Sequence, residues 1–121
     1  MDFAKKVISL GLILSLFQVS LAAVYQVGGP VGWKLGFNYN QWAGNQLIRV
    51  GDTLVFKYIK AVHNVLQVTQ QNYASCNTSS PVATFSSGSD SITLKTASHH
   101  YFICGTPGHC LGGQKVDILV S

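Results

Sequence analysis

The 121-residue chain contains no glutamate, and its acids are four aspartates. Beyond Lys5-Lys6, its six other basic residues are scattered along the chain rather than clustered. That leaves nothing resembling a nucleic-acid-binding arm. No long segment keeps a helical period, no internal repeat recurs, and no low-complexity tract divides the chain. Helical bundles and repeat arrays are therefore not expected. The strand-like C-terminal segment lacks the small-residue site, polar spacer and apolar tail of a glycosylphosphatidylinositol signal, so no such anchor is expected.

What is present divides at Ala22. Lys5 and Lys6 form a basic start, Val7 to Val19 a mainly apolar stretch, and Ser20-Leu21-Ala22 supplies small residues at the −3 and −1 positions. Residues 1–22 therefore read as a signal peptide cleaved after Ala22, and residues 23–121 as one secreted domain. An uncleaved membrane anchor fits less well. The apolar run is short of the roughly 20 residues a spanning helix needs, and it carries Ser9, Gly11, Ser15 and Gln18. Within the domain, Lys34, Arg49, Lys57, Lys60, Lys95 and Lys115 stand against Asp52, Asp90 and Asp117, a net charge of +3. An anionic cell-wall polymer would suit such a surface; solvation alone explains it equally well.

The domain reads as all-β. Strands are expected at Val24–Val27, Leu47–Val50, Thr53–Ile59, His63–Thr69, Ser91–Leu94, Tyr101–Cys104 and Lys115–Val120. Short strands with Gly-, Ser- and Asn-rich breaks indicate a sandwich or barrel. Single helical turns fit Tyr39–Trp42 and Gln71–Ser75, and residues 86–90 read as a loop. Alternation along the last strand puts Val116, Ile118 and Val120 on one face, with Gln114 in the same parity. An amide aimed into a core is costly without a partner, and a metal is one such partner. Phe102 and Cys104 also share a face.

Three cysteines in a secreted chain leave one over after pairing. Cys76–Cys104, Cys76–Cys110 and Cys104–Cys110 are the pairings available. Cys110 follows His109, and neighbours in extended chain point oppositely. If His109 faces a metal, Cys110 faces away, which favours Cys76–Cys110 and leaves Cys104 as a thiolate. A Cys104–Cys110 staple is the competing reading. Cys104, His109 and Gln114 recur at equal intervals. Thr106-Pro107-Gly108 suits a type II turn between the first two, and Gly112-Gly113 permits the return to the third. With His63 arriving from another strand, two imidazoles, a thiolate and a weak fourth donor suit one copper ion cycling between Cu(II) and Cu(I). Four protein donors leave no open position for a substrate, so electron transfer is expected and no enzymatic activity. Closely paired ligands, usual for structural zinc, are absent, and glutamine is not a customary zinc ligand. A copper oxidase would need a second copper cluster, for which no His-rich site remains.

These residues and their framework resemble the phytocyanins, the plant blue copper proteins of the cupredoxin superfamily. The likeness runs through Gly32-Trp33, Tyr39, Trp42-Ala43, residues 50–56, His63-Asn64-Val65, Tyr73, Cys76-Asn77, residues 101–105, Pro107-Gly108-His109-Cys110 and Gly113-Gln114-Lys115-Val116. The resemblance implies a Greek-key β-sandwich and a Cys76–Cys110 disulfide. It makes His63, Cys104 and His109 equatorial copper ligands, with Gln114 axial as in stellacyanin-like members. The single-domain layout, without a Pro/Ser-rich tail, is closer to a plantacyanin. Ile48 and His99-His100 depart from the family pattern, which raises the question whether His99 or His100 is a ligand; His63 is preferred because the others stand too near Cys104 in sequence. Asn64 is expected to tie the ligand loops together by hydrogen bonds. Asn77-Thr78-Ser79 is a glycosylation acceptor. The expected protein is a glycosylated monomer of the apoplast or cell wall, reduced by an unidentified redox partner or small molecule. An extracellular interaction or signalling protein with a structural or vestigial copper site is the alternative.

Overall fold

The computed structural model describes residues 21–121. The expected leader falls outside them except for Leu21 and Ala22. Seven strands form two sheets. They are β1 (Val24–Gln26), β2 (Thr53–Lys57), β3 (Val65–Val68), β4 (Ala83–Phe85), β5 (Ser89–Thr93), β6 (His99–Ile103) and β7 (Lys115–Leu119). One sheet has the order β1-β2-β5 and the other β4-β3-β6-β7. β1 runs parallel to β2, and the remaining ladders are antiparallel.

Period-two alternation explains the packing. Leu54 and Phe56 of β2 are fully buried while Lys57 is exposed. Val116 and Ile118 of β7 are likewise buried, and Val120 beyond them. These inward faces meet Trp33, Tyr39, Phe102 and Cys104 in one core between the sheets. Each large side chain removed from water contributes about 1.5–3 kcal/mol. Two short helices cover the outside: α1 (Tyr39–Gly44), whose first turn is capped by the Asn38 side chain accepting from Gln41 N at 3.0 Å, and α2 (Gln70–Ser75), capped in the same way by Thr69. Beneath α2, Leu66, Val68, Ile103 and Cys110 form a smaller core with Tyr73, Cys76 and Tyr101 packed against it. There Cys76 and Cys110 are joined as a disulfide. Closing 34 residues of chain, it contributes on the order of 4 kcal/mol in the chain-entropy picture. Among the described residues no helix is long and apolar enough to cross a membrane.

The expected strands hold with corrections. Leu47–Val50 makes only a single parallel bridge, Ile48 to Val120. The Asp52 carboxylate accepts from Arg49 N at 2.9 Å and turns the chain there. β3 starts at Val65, because His63 N is bonded back to Ile59 O in a turn. β6 starts earlier than expected, at His99. Ser89 and Asp90, read as loop, belong to β5, where the buried Asp90 accepts hydrogen bonds from the Tyr58 and Ser87 hydroxyls. β4 was not expected at all.

Candidate metal centre

Three ligand types meet at one end of the sandwich. Cys104 continues the β6 ladder by one bond, its N–H donating to Gln114 O at 3.0 Å. The chain then turns at Thr106-Pro107-Gly108, where Gly108 has φ +80° and His109 N bonds Thr106 O at 3.0 Å. That is the type II turn the Pro-Gly pair predicts. It brings His109 Nδ1 to 3.7 Å from Cys104 Sγ. From the facing turn, His63 Nδ1 stands 3.9 Å from the same sulfur and 3.2 Å from His109 Nδ1. The ligating atoms of His63, Cys104 and His109 all lie within 4.8 Å of one another. Cys104 is buried and is the only free cysteine. Both imidazoles are partly exposed. Burial, helped by the neighbouring His109, holds the His63 pKa below its ordinary value.

Gln114 closes the group. It is fully buried, and its Oε1 lies 3.1 Å from His109 Nδ1. Its Nε2 is a buried amide without a hydrogen-bond partner. Leaving such a group unpaired costs about 1–3 kcal/mol. Two imidazole nitrogens, a thiol sulfur and an amide oxygen thus crowd one point with their lone pairs. A shared proton satisfies only two of them. A transition-metal cation satisfies them all, so the donor set fits a metal of the kind imidazole and thiolate select.

The scaffold around these side chains is hydrogen-bonded across long sequence separations. Gly105 N donates to Asn64 Oδ1 at 2.6 Å, tying the His63 turn to the Cys104 strand. A Cβ at Gly105 would stand 2.8 Å from Leu66 Cδ1 and 2.9 Å from Asn64 Oδ1, so any larger residue there would push both side chains aside. Thr106 Oγ1 donates to Val62 O at 2.7 Å, a second strap between the same loops. The Asn64 backbone carbonyl accepts from the buried Trp33 indole N–H at 2.9 Å. Trp33 in turn packs against Tyr39, whose hydroxyl donates to Gly32 O at 2.6 Å and accepts from Lys34 N at 2.8 Å. Trp33 and Thr106 carry no metal-binding chemistry, so their part in the site had no signal of its own in the sequence.

Other expected residues fall elsewhere. His99 pairs with Asp117 at 2.7 Å and stacks on Tyr101, while His100 bonds Thr96 O at 2.9 Å. Neither belongs to the cluster around Cys104. The Cys104–Cys110 staple is ruled out by the Cys76–Cys110 bridge. Asn77 is exposed, with Oδ1 accepting from Ser79 N at 3.0 Å.

Comparison with known proteins agrees with this geometry. Residues 33–114 match the plastocyanin-like domain family. Over 103 residues the chain is 48% identical to a stellacyanin of Toxicodendron vernicifluum, covering 81% of this chain and 96% of that protein. Its fold is similar to cucumber stellacyanin, solved with Cu2+, with a TM-score of 0.77 at 33% identity over 84% of this chain and 96% of that one. It is also similar to the cucumber basic protein, described as a blue copper protein, with a TM-score of 0.73 at 38% identity over 81% and 99% of the two chains. By sequence and by fold, the chain belongs to the phytocyanins.

Proposed function

We propose that His63, Cys104 and His109 bind one copper ion as equatorial ligands, that Gln114 is its axial ligand, and that the protein carries single electrons. The observation that supports this most directly is the convergence of the three ligating atoms within 4.8 Å beside the buried Gln114 amide. Copper supplies a one-electron couple at such a site. The thiolate of Cys104 suits the reduced state and the imidazoles suit either. The side chains do the rest. Asn64, Trp33 and Thr106 hold the ligand turns in place, so the donors need move little when the charge changes. The core residues beneath Cys104 exclude water from the sulfur. Four protein donors leave no room for a substrate on the metal, which favours a carrier over an enzyme. The partly exposed imidazole edges are the points through which electrons enter and leave. Secretion, with cleavage after Ala22 and a glycan on the exposed Asn77, fits this family.

The amide oxygen of Gln114 is harder than a thioether and favours Cu(II). Gln114→Met is therefore expected to raise the reduction potential in voltammetry of the copper-loaded protein. An unchanged or lowered potential would contradict the axial assignment.

A further inference from the structure

A groove of about 410 Å³ is lined by the segment between β1 and α1, by the end of β2 and the residues after it, and by His63. Its walls are largely apolar. Pro30, Val31 and Ile59 line it, the last 68% exposed although it is a large aliphatic residue. Lys34 and Lys57 also line it and are exposed, and no carboxylate is among its lining residues. Asp90, which accepts from the hydroxyl of the lining residue Tyr58, is itself buried. His63 turns Nδ1 toward the Cys104 sulfur, 3.9 Å away, and is also a lining residue of the groove. An apolar slot with unopposed positive charge, lined in part by an imidazole of the metal centre, sets three demands on an occupant. It must be partly apolar, it must carry negative charge, and it must hold a group that can give up one electron.

We infer that this groove is a binding site for a small aromatic reductant bearing a carboxylate, a dihydroxyaryl acid, whose ring is held against His63 and whose carboxylate is paired with Lys34 and Lys57. The inference rests on the electron-carrier reading above and names the donor class for it. The step balances. The dihydroxyaryl ring loses one electron to Cu(II), which becomes Cu(I). One hydroxyl O–H bond breaks, its proton passes to solvent, and an aryloxyl radical leaves the groove. No bond forms to the metal, consistent with four protein donors around it. The lysines act on binding: exposed charge pairs are individually weak, but two cations without an opposing acid raise the local concentration of an anion.

The test uses the copper-loaded protein with 3,4-dihydroxybenzoate and its uncharged methyl ester. Stopped-flow reduction is expected to saturate with the acid, and at low salt the acid is expected to outpace the ester by about fivefold. In the Lys34→Gln/Lys57→Gln variant that ratio is expected to fall toward one. Amide shifts on titrating the acid into the Cu(I) protein are expected to gather in residues 30–34 and 57–59. Reduction without saturation, with the same ratio in the variant and shifts absent or spread over the whole basic surface, overturns the groove and leaves electron transfer standing. Shifts confined to the groove without any reduction of Cu(II) keep the site but overturn its donor role. Saturation and groove shifts that are equal for acid and ester overturn the part assigned to the lysines.

Discussion

The buried amide of Gln114 carries a cost to stability, and that cost is measurable without any metal. In the metal-free protein Nε2 has no partner and the side chain is fully buried. Replacing Gln114 by leucine removes that unpaired group, a relief of about 1–3 kcal/mol. It also removes the contact between Oε1 and His109 Nδ1, which has a length of 3.1 Å and a net worth of about 1 kcal/mol. Leucine is close in size, so neither a cavity nor crowding of consequence is expected. The balance favours the variant by about 1 kcal/mol, or about 4–8 °C in melting temperature for a domain of this size. Scanning calorimetry in the presence of a chelator reads this directly. With copper bound the order should reverse, because wild type then gains a ligand that the variant lacks. A metal-free Gln114→Leu protein that melts at or below wild type would refute the reasoning, since it would mean that Nε2 is not left unpaired in the folded protein.

Two further outcomes follow from the scaffold. Trp33→Phe keeps an aromatic ring in the core but leaves the Asn64 carbonyl without its 2.9 Å donor; denaturant unfolding should show a loss of about 1–3 kcal/mol, and an unchanged midpoint would remove Trp33 from the support of the His63 turn. The Asp52 carboxyl is held below its ordinary pKa by the N–H groups of Ala23 and Arg49, and cleavage after Ala22 would turn the first into an α-ammonium that acts in the same direction. A lowered folded pKa means stability that is present at neutral pH and fades as the pH falls below the ordinary aspartate value of about 3.9. Acid unfolding of Asp52→Asn should therefore be shallower than that of wild type in this range, and parallel curves would contradict the role of Asp52 as acceptor for both amides.

Much of the centre was legible because its chemistry is local in the chain. Cys104, His109 and Gln114 sit within eleven residues, and Pro107-Gly108 dictates the turn between the first two. Alternation from Val116 back to Gln114 placed the amide inward, and the leftover cysteine pointed to a ligand. His63 was named from its residue type and the family pattern, although its position in a turn before β3 was read as strand. What stayed hidden depends on contacts between distant residues. Ala83–Phe85 is three residues long, too short for its alternation to announce a strand, and it is one only because β3 offers a ladder. Ser89 and Asp90 look like loop residues until Tyr58, more than thirty residues away, supplies a buried hydroxyl for the carboxylate. Leu47–Val50 has strand composition, but the Asp52 turn leaves it only one bridge. The hydrogen bond from Trp33 to Asn64 joins residues 31 apart, and neither residue type forecasts it.

The central claim is that the Cys104 sulfur and the imidazoles of His63 and His109 bind one redox-active copper ion. The visible absorption spectrum of the protein loaded with one equivalent of Cu(II), beside that of Cys104→Ser, tests it most directly. An intense blue thiolate-to-copper band in the wild type that is absent from the variant is the predicted result. A colourless wild type, or a variant that remains blue, would contradict it.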